Sequence, residues 1–288
     1  MGKTEWSLSV AETLGAPILS ADSRQIYREM TIGTAAPTPE QLQRVPHHFI
    51  ASFSPETYYS TSKYEQDALK LLDSLFQAHP TVVMTGGSMM YIDAVCRGID
   101  DIPTIDVQLR EKVQERYQRE GLDGMRALLK LLDPKFYGEV DLKNPKRVIH
   151  AVEICLMVGK PYSSLRMQTI KKRPFRIVKI GLFRERQELY ERINQRVNVM
   201  IENGLIKEAE SLYPKRNLNA LNTVGYKELF DYFDGNSTLN QAIDKIKQHS
   251  RNYARKQMTW FKKDKDMFWI NLSDNRIDVM KEIMNRLE

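Results

Sequence analysis

The chain begins Met1-Gly2-Lys3-Thr4 and runs at once into a helix-forming stretch, Glu5-Trp6-Ser7-Leu8-Ser9-Val10-Ala11-Glu12. A glycine, a lysine and a hydroxyl residue directly before a helix form the second half of a phosphate-binding loop, in which backbone N–H groups at the helix start cradle a di- or triphosphate. In a complete loop an apolar strand and an earlier glycine come first. Neither precedes Gly2, so the expectation is a P-loop NTPase-like α/β fold, a parallel sheet flanked by helices, with the N-terminal strand of the phosphate loop missing. Gly15-Ala16-Pro17 then gives a turn and Ile18-Leu19 a short apolar strand, followed by Ser20-Ala21-Asp22-Ser23-Arg24-Gln25. An acid at the carboxyl end of such a strand lies in the crevice where open α/β sheets bind ligands, which sets Asp22 beside Lys3 and Thr4. A turn or helix-cap role is the structural alternative for Asp22.

Periodicity organises the rest. Residues 61–78 read as an amphipathic helix with Tyr64, Ala68, Leu71, Leu72 and Leu75 on one side; Pro80 breaks it before the strand-like run Val82-Val83-Met84. That run ends at Gly86-Gly87, where missing side chains permit close backbone approach. Between 106 and 159 the apolar residues keep helical spacing without strand-like alternation. The expected organisation is a core of residues 1–100 and 171–288 with an all-helical insertion at 101–170. Strand character returns at 176–183, after the basic link Lys171-Lys172-Arg173-Pro174, and helices are expected at 186–202, 205–213 and 239–261.

With 288 residues, 42% hydrophobic, the chain can bury a substantial core. Its formal charge of +6 suits a polyanionic partner, and equally a solvated surface. No apolar stretch approaches the roughly 20 residues that span a bilayer, and no leader pattern opens the chain, so a cytoplasmic, soluble protein is expected. Cys96 and Cys155 stand among apolar neighbours without other ligands at metal spacing, which argues against a disulfide framework or a zinc site. Adjacent His47-His48 on an extended segment point to opposite sides and are read as structural. Met84, Met89 and Met90 are read as core residues.

The segments from Gly2 to Ala35, with Val45-Pro46-His47-His48 and Thr85-Gly86-Gly87-Ser88-Met89-Met90-Tyr91, resemble the bacterial tRNA dimethylallyltransferase (tRNA isopentenyltransferase) family. The similarity continues in order through Asn144-Pro145-Lys146-Arg147-Val148-Ile149-His150, Arg192-Ile193-Asn194-Gln195-Arg196-Val197, Thr223-Val224-Gly225-Tyr226-Lys227 and Arg255-Lys256-Gln257-Met258-Thr259-Trp260-Phe261. The resemblance implies transfer of a dimethylallyl group from dimethylallyl pyrophosphate to the exocyclic amine of the adenine 3′ of the anticodon, by a monomer needing Mg²⁺. It implies pyrophosphate contacts from Gly2, Lys3, Thr4 and Arg196, with the Thr4 hydroxyl on Mg²⁺. It further implies tRNA contacts from Asp22, Ser23, Arg24, Gln25, Ser88, Arg110, Lys146, Arg147, His150, Asn222, Gly225, Tyr226 and Lys227. His150 stands where an arginine is common. The absence of C-terminal zinc-finger ligands points to the bacterial or organellar form.

The chemistry sorts these residues into roles. Allylic transfer needs a held and neutralised leaving group, and a nucleophile positioned in line with the allylic carbon. An adenine amine is a poor nucleophile because its lone pair is delocalised, so a carboxylate that orients it and takes its proton is required; Asp22 is the candidate, with Thr4 and Arg196 at the leaving group. The target base must leave its stack to reach such a site. Along 251–262 the basic residues Arg251, Arg255 and Lys262 suit RNA phosphates or plain solvation, as does the 171–173 link, while Tyr253 and Trp260 suit the core. Two alternatives stay open: a small-molecule P-loop kinase, and a tRNA-binding module impaired in catalysis by its shortened loop.

Overall fold

Every paired strand runs parallel to its neighbour, as expected where helices rather than hairpins connect strands. The structure is a computed structural model and describes residues 2–100, 102–167 and 170–287. The chain divides into two compact units, Met1–Cys96 with Arg173–Glu288, and Arg97–Lys172. In chain order the first unit begins α1 (Lys3–Leu14), β1 (Ile18–Ala21), α2 (Pro39–Arg44), β2 (His47–His48), α3 (Thr61–Leu75), β3 (Val83–Gly86) and α4 (Met89–Arg97). The second unit holds α5 (Val107–Leu132), α6 (Pro134–Glu139), α7 (Pro145–Val158) and α8 (Tyr162–Leu165). The first unit then resumes with β4 (Lys179–Phe183), α9 (Arg186–Glu202), α10 (Leu205–Leu212), α11 (Tyr226–Phe233), α12 (Leu239–Phe261), β5 (Met267–Asn271) and α13 (Arg276–Leu287).

The α/β reading holds, but the strands form two sheets. One has the order β2-β1-β3 and the other pairs β4 with β5. All four residues of β1 are buried, as befits a central strand covered on both faces. Sequence reading missed β5: it follows the charged run Lys262-Lys263-Asp264-Lys265-Asp266, and only Ile270 within it is buried, so neither composition nor alternation marks it. β4 starts at Lys179 rather than Arg176, because β5 supplies ladder partners only for 179–183. The helix expected to reach residue 78 stops at Leu75, where the Phe76 N–H turns back to the Leu72 carbonyl.

The main core of the first unit surrounds β1. Tyr64 and Tyr91 stack at 3.9 Å, and the Tyr64 hydroxyl donates to the Ser20 carbonyl at 2.9 Å. Arg173, expected on an RNA-facing or solvated link, instead points inward. Its guanidinium meets Glu65 at 2.6 Å, with the two side chains 8% and 7% exposed, and also donates to the Ala94 and Val95 carbonyls. A buried cation needs such partners, so satisfying it inside the protein removes Arg173 from the surface. His47–His48 form β2 and pair with Ile18 and Leu19.

In the second unit α5, interrupted at Gly121 (φ 67°), packs on α7 around Met125, Leu129, Phe136, Val148 and Val152. Burying each large apolar side chain contributes about 2 kcal/mol. Asp133 caps α6 through the Phe136 N–H and also accepts from the Ser163 N–H and hydroxyl, tying α8 to the bundle.

The tightest approach in the first unit is between β1 and β3. A methyl group at Gly86 would lie 2.1 Å from the Ala21 carbonyl oxygen, a backbone atom that cannot yield. Gly86→Ala is therefore expected to cost about 2–3 kcal/mol by overpacking, seen as a drop of several degrees in Tm. An unchanged Tm would show that β1 and β3 do not meet this closely.

Candidate active site

The start of α1 and the carboxyl ends of β1 and β3 converge. Gly2 adopts φ 97°, a left-handed conformation open to glycine, and turns the chain into α1. The first N–H groups of a helix have no intrahelical acceptor, and together with the helix dipole they favour an anion. Lys3 folds back across this point, and its Nζ donates to the Gly86 carbonyl at 3.1 Å. Thr4 follows in the first turn, its carbonyl accepting from the Ser7 hydroxyl.

Asp22 follows β1 directly. Its Oδ1 accepts from the N–H groups of Arg24 at 2.9 Å and Gln25 at 3.2 Å, so one oxygen performs the turn-capping role open to such a residue. Asp22 and Arg196, on α9, both act on Lys3 through space. Burial of the Lys3 amine pulls its pKa below the usual lysine value, with Asp22 opposing that shift and Arg196 adding to it. Lys3 keeps some exposure along its stem, but the amine itself is enclosed, and its surroundings decide its charge. Burial likewise lowers the pKa of Arg196, opposed by Asp22. Two desolvated cations and one carboxylate therefore lie within electrostatic reach of one another near the start of α1.

Neighbouring groups fix this arrangement. The Ser88 hydroxyl accepts from the Ser23 N–H at 2.8 Å and donates to the Ser23 hydroxyl at 3.0 Å, joining the turn after β1 to the turn after β3. Gln25 donates to the carbonyls of Thr34 and Ala35, and Arg196 also reaches the Thr34 carbonyl at 3.4 Å. Arg24 donates to the Asn219 carbonyl. Asp22, Ser23, Gln25, Ser88, Lys3 and Arg196 thus come together within the first unit.

The other residues singled out from sequence differ in their exposure. Asn222 and Lys227 are exposed, whereas Gly225 is buried, with φ 102°, and its N–H donates to Glu228 at 2.7 Å. Tyr226 is fully buried, with its hydroxyl donating to Glu208 at 2.7 Å, so its ring supports a loop from inside rather than presenting a surface. In the second unit, Arg110 and His150 both approach the buried Glu153, at 3.6 and 3.8 Å, while Lys146 and Arg147 are exposed at the start of α7.

Three supports escaped sequence reading. Glu208 accepts from the Thr31 hydroxyl, the Ile32 and Gly33 N–H groups and Tyr226, clamping the loop that carries Thr34. The glutamate is 175 residues from Gly33, and no local pattern links them. Tyr253 and Gln257, on α12, both donate to the Gly87 carbonyl, at 3.1 and 2.7 Å. Trp260, 39% exposed, anchors through its indole N–H to Asp93 at 2.8 Å. The expectation of core packing for these aromatics gives way to polar anchoring at the edge of the site; their spacing along α12 was the signal available. Arg251 and Arg255 bond Asn194 and Asn252.

The fold is α/β, with the start of α1, the Asp22 carboxylate and the Arg196 guanidinium within electrostatic reach of one another. The family model for IPP transferase matches residues 25–264. The tRNA dimethylallyltransferase 1 of Phocaeicola vulgatus is 60% identical over 98% of this chain and 94% of its own length. That of Bacteroides fragilis is 57% identical over 100% of this chain and 94% of its own. The crystal structure of the full-length tRNA isopentenylpyrophosphate transferase from Bacillus halodurans aligns with a TM-score of 0.72 at 34% identity, covering 99% of this chain and 91% of that one. This chain belongs to the IPP transferase family, as the ordered blocks of its sequence implied, and neither the kinase nor the impaired-binder alternative is favoured.

Two outcomes test the geometry. Because native Lys3 gives up its proton at lower pH than the unfolded chain, whose lysines titrate near 10.5, the unfolded state binds more protons in the window below that value and stability rises with pH there. As pH rises toward 10.5, the Tm of the wild type should climb relative to that of Lys3→Met; parallel curves would mean an unburied amine. Glu208→Ala removes an acceptor for four donors. It should cost about 3 kcal/mol and expose residues 31–35 to limited proteolysis, and an unaltered digestion pattern would contradict the clamp.

Proposed function

We infer that this chain is a tRNA dimethylallyltransferase: it transfers a dimethylallyl group to tRNA. The observation that carries the reading is the electrostatic proximity of Lys3, Arg196 and Asp22 at one cleft. In the finer reading, the donor is dimethylallyl pyrophosphate and the acceptor is the exocyclic amine of the adenine 3′ of the anticodon. Lys3, Arg196 and the first N–H groups of α1 hold the pyrophosphate, and Gly2 lets the backbone approach it. The amine lone pair forms a bond to the allylic carbon as the carbon–oxygen bond to pyrophosphate breaks. That bonding pair leaves with the pyrophosphate, and the amine proton passes to Asp22.

The donor set also suits a hard divalent cation. The Thr4 hydroxyl, in the first turn of α1, would supply an oxygen ligand of the kind Mg²⁺ takes alongside phosphate oxygens and water. When bound, Mg²⁺ would neutralise charge on the leaving group. Among the described residues no helix is long and apolar enough to cross a membrane. The enzyme works on tRNA in the cytoplasm as a monomer.

Ser23, Arg24, Gln25 and Ser88 surround Asp22 and contact the extruded base and its neighbours. Asn222 and Lys227 are exposed and meet the anticodon stem-loop backbone, with Gly225 and Tyr226 shaping that loop. Arg110, Lys146, Arg147 and His150 supply phosphate contacts from the second unit. Phosphate contacts position an RNA, and each cation removed weakens binding and lowers its salt dependence.

Asp22→Asn keeps the hydrogen-bonding shape but cannot accept the proton. With anticodon stem-loop RNA, Mg²⁺ and dimethylallyl pyrophosphate, product followed as one added prenyl mass should form at least about 100-fold more slowly, while RNA affinity stays within a few-fold of wild type. A variant within tenfold of wild type would remove Asp22 from the role of base.

A further inference from the structure

Arg196 is tied to the 31–36 loop by a backbone carbonyl. Thr34 offers that carbonyl to the guanidinium at 3.4 Å, and the same oxygen accepts from the Gln25 side chain at 3.1 Å. A guanidinium carries its donors in one rigid plane, so a fixed acceptor on one of them sets the direction of the others. Where Arg196 points therefore depends on where the loop stands.

Local preference does not hold that loop in place. The Ala36 N–H closes on the Thr31 carbonyl and the Ala35 N–H on the Ile32 carbonyl, both at 2.9 Å. The turn puts Ala35 at φ 47°, in the left-handed region that a residue with a side chain disfavours. Such a conformation persists where its surroundings over-determine it. Two side chains do so here. Gln25 donates to the Ala35 carbonyl at 3.0 Å as well as to that of Thr34. From α10, Glu208 takes the Gly33 N–H and the Tyr226 hydroxyl on Oε1, and the Ile32 N–H and the Thr31 hydroxyl on Oε2. These four donors are uncharged, so toward the loop the carboxylate serves as a fourfold acceptor rather than as half of an ion pair. An amide could not replace it: one oxygen would serve two of the donors, and the NH₂ group would face the other two.

We propose that Glu208 is a positioning residue for the leaving-group cation: it fixes the 31–34 backbone, the Thr34 carbonyl aims Arg196, and the aim of Arg196 sets the affinity for the anion beside α1. The proposal rests on the transferase reading for the identity of that anion, a pyrophosphate. A carboxylate that only stabilised the fold would have the same effect on function whether or not Arg196 was present. One that acts through Arg196 loses its effect when the guanidinium is removed, because no cation is then left for the loop to aim.

The test is a double-mutant cycle of Glu208→Gln and Arg196→Ala, measured well below the Tm of each variant. Two quantities are read: the affinity for inorganic pyrophosphate with Mg²⁺ by calorimetry, and kcat/KM for dimethylallyl pyrophosphate at saturating anticodon stem-loop RNA. Glu208→Gln alone should weaken pyrophosphate binding about tenfold and lower kcat/KM by about 10- to 100-fold, with RNA affinity within about twofold of wild type. In the Arg196→Ala background the same change should cost less than about threefold in either quantity. Equal losses in both backgrounds would overturn the proposal, and so would an undiminished pyrophosphate affinity in Glu208→Gln. A wild type that shows this coupling in pyrophosphate binding but transfers no prenyl group would sink the transferase reading alone. Transfer without coupling would sink the positioning role alone, and a wild type that neither binds nor transfers would contradict both. If Glu208→Gln does not fold, Glu208→Asp keeps the charge and the acceptors but retracts them by one methylene. Its smaller loss should likewise vanish beside Arg196→Ala, and a loss that persists there would contradict the proposal.

Discussion

A single contact, the Lys3 ammonium on the Gly86 carbonyl, joins the start of α1 to the carboxyl end of β3 and holds a cation where Asp22 and Arg196 can act on it. An enclosed amine has a large desolvation penalty, and one carbonyl does not offset it. On the proposed function, an incoming pyrophosphate would turn the same penalty into binding energy. Around this contact the molecule supplies rigidity: glycine at 86 for the approach of β1, Ser88 bridging to Ser23, and Gln257 and Tyr253 fixing the Gly87 carbonyl.

The acid shows how one side chain can serve two ends. Oδ1 of Asp22 is engaged by the Arg24 and Gln25 N–H groups, which fixes the carboxylate plane relative to β1. On the proposed function, such a fixed carboxylate would need no reorganisation to receive the amine. The loop opposite is held as firmly by Glu208, whose carboxylate receives donors from Thr31, Ile32, Gly33 and Tyr226. Gly33 is required there because a methyl would fall 2.6 Å from the Tyr226 hydroxyl oxygen.

Much of this was legible in the sequence where the signal is local. Gly2-Lys3-Thr4 before a helix, Asp22 after a short apolar run and Gly86-Gly87 after another each carry their meaning in a few adjacent residues. The α/β class followed from alternating strand and helix patterns, and the family from ordered blocks. What failed to show depends on partners far apart in the chain. β5 is strand only because β4 lies beside it, Arg173 is buried only because Glu65 awaits it, and Glu208 reads as an ordinary helix glutamate until the 31–35 loop folds against it. The division of the strands into two sheets was equally hidden, since pairing partners are a property of the folded chain.

The most direct test is a crystal structure with a non-reactive dimethylallyl pyrophosphate analogue and an anticodon stem-loop. The account requires the pyrophosphate at the first turn of α1, within bonding distance of Lys3 Nζ and the Arg196 guanidinium, and an extruded adenine whose exocyclic amine meets a carboxylate oxygen of Asp22. A pyrophosphate bound away from α1, or an adenine amine facing another residue, would contradict it.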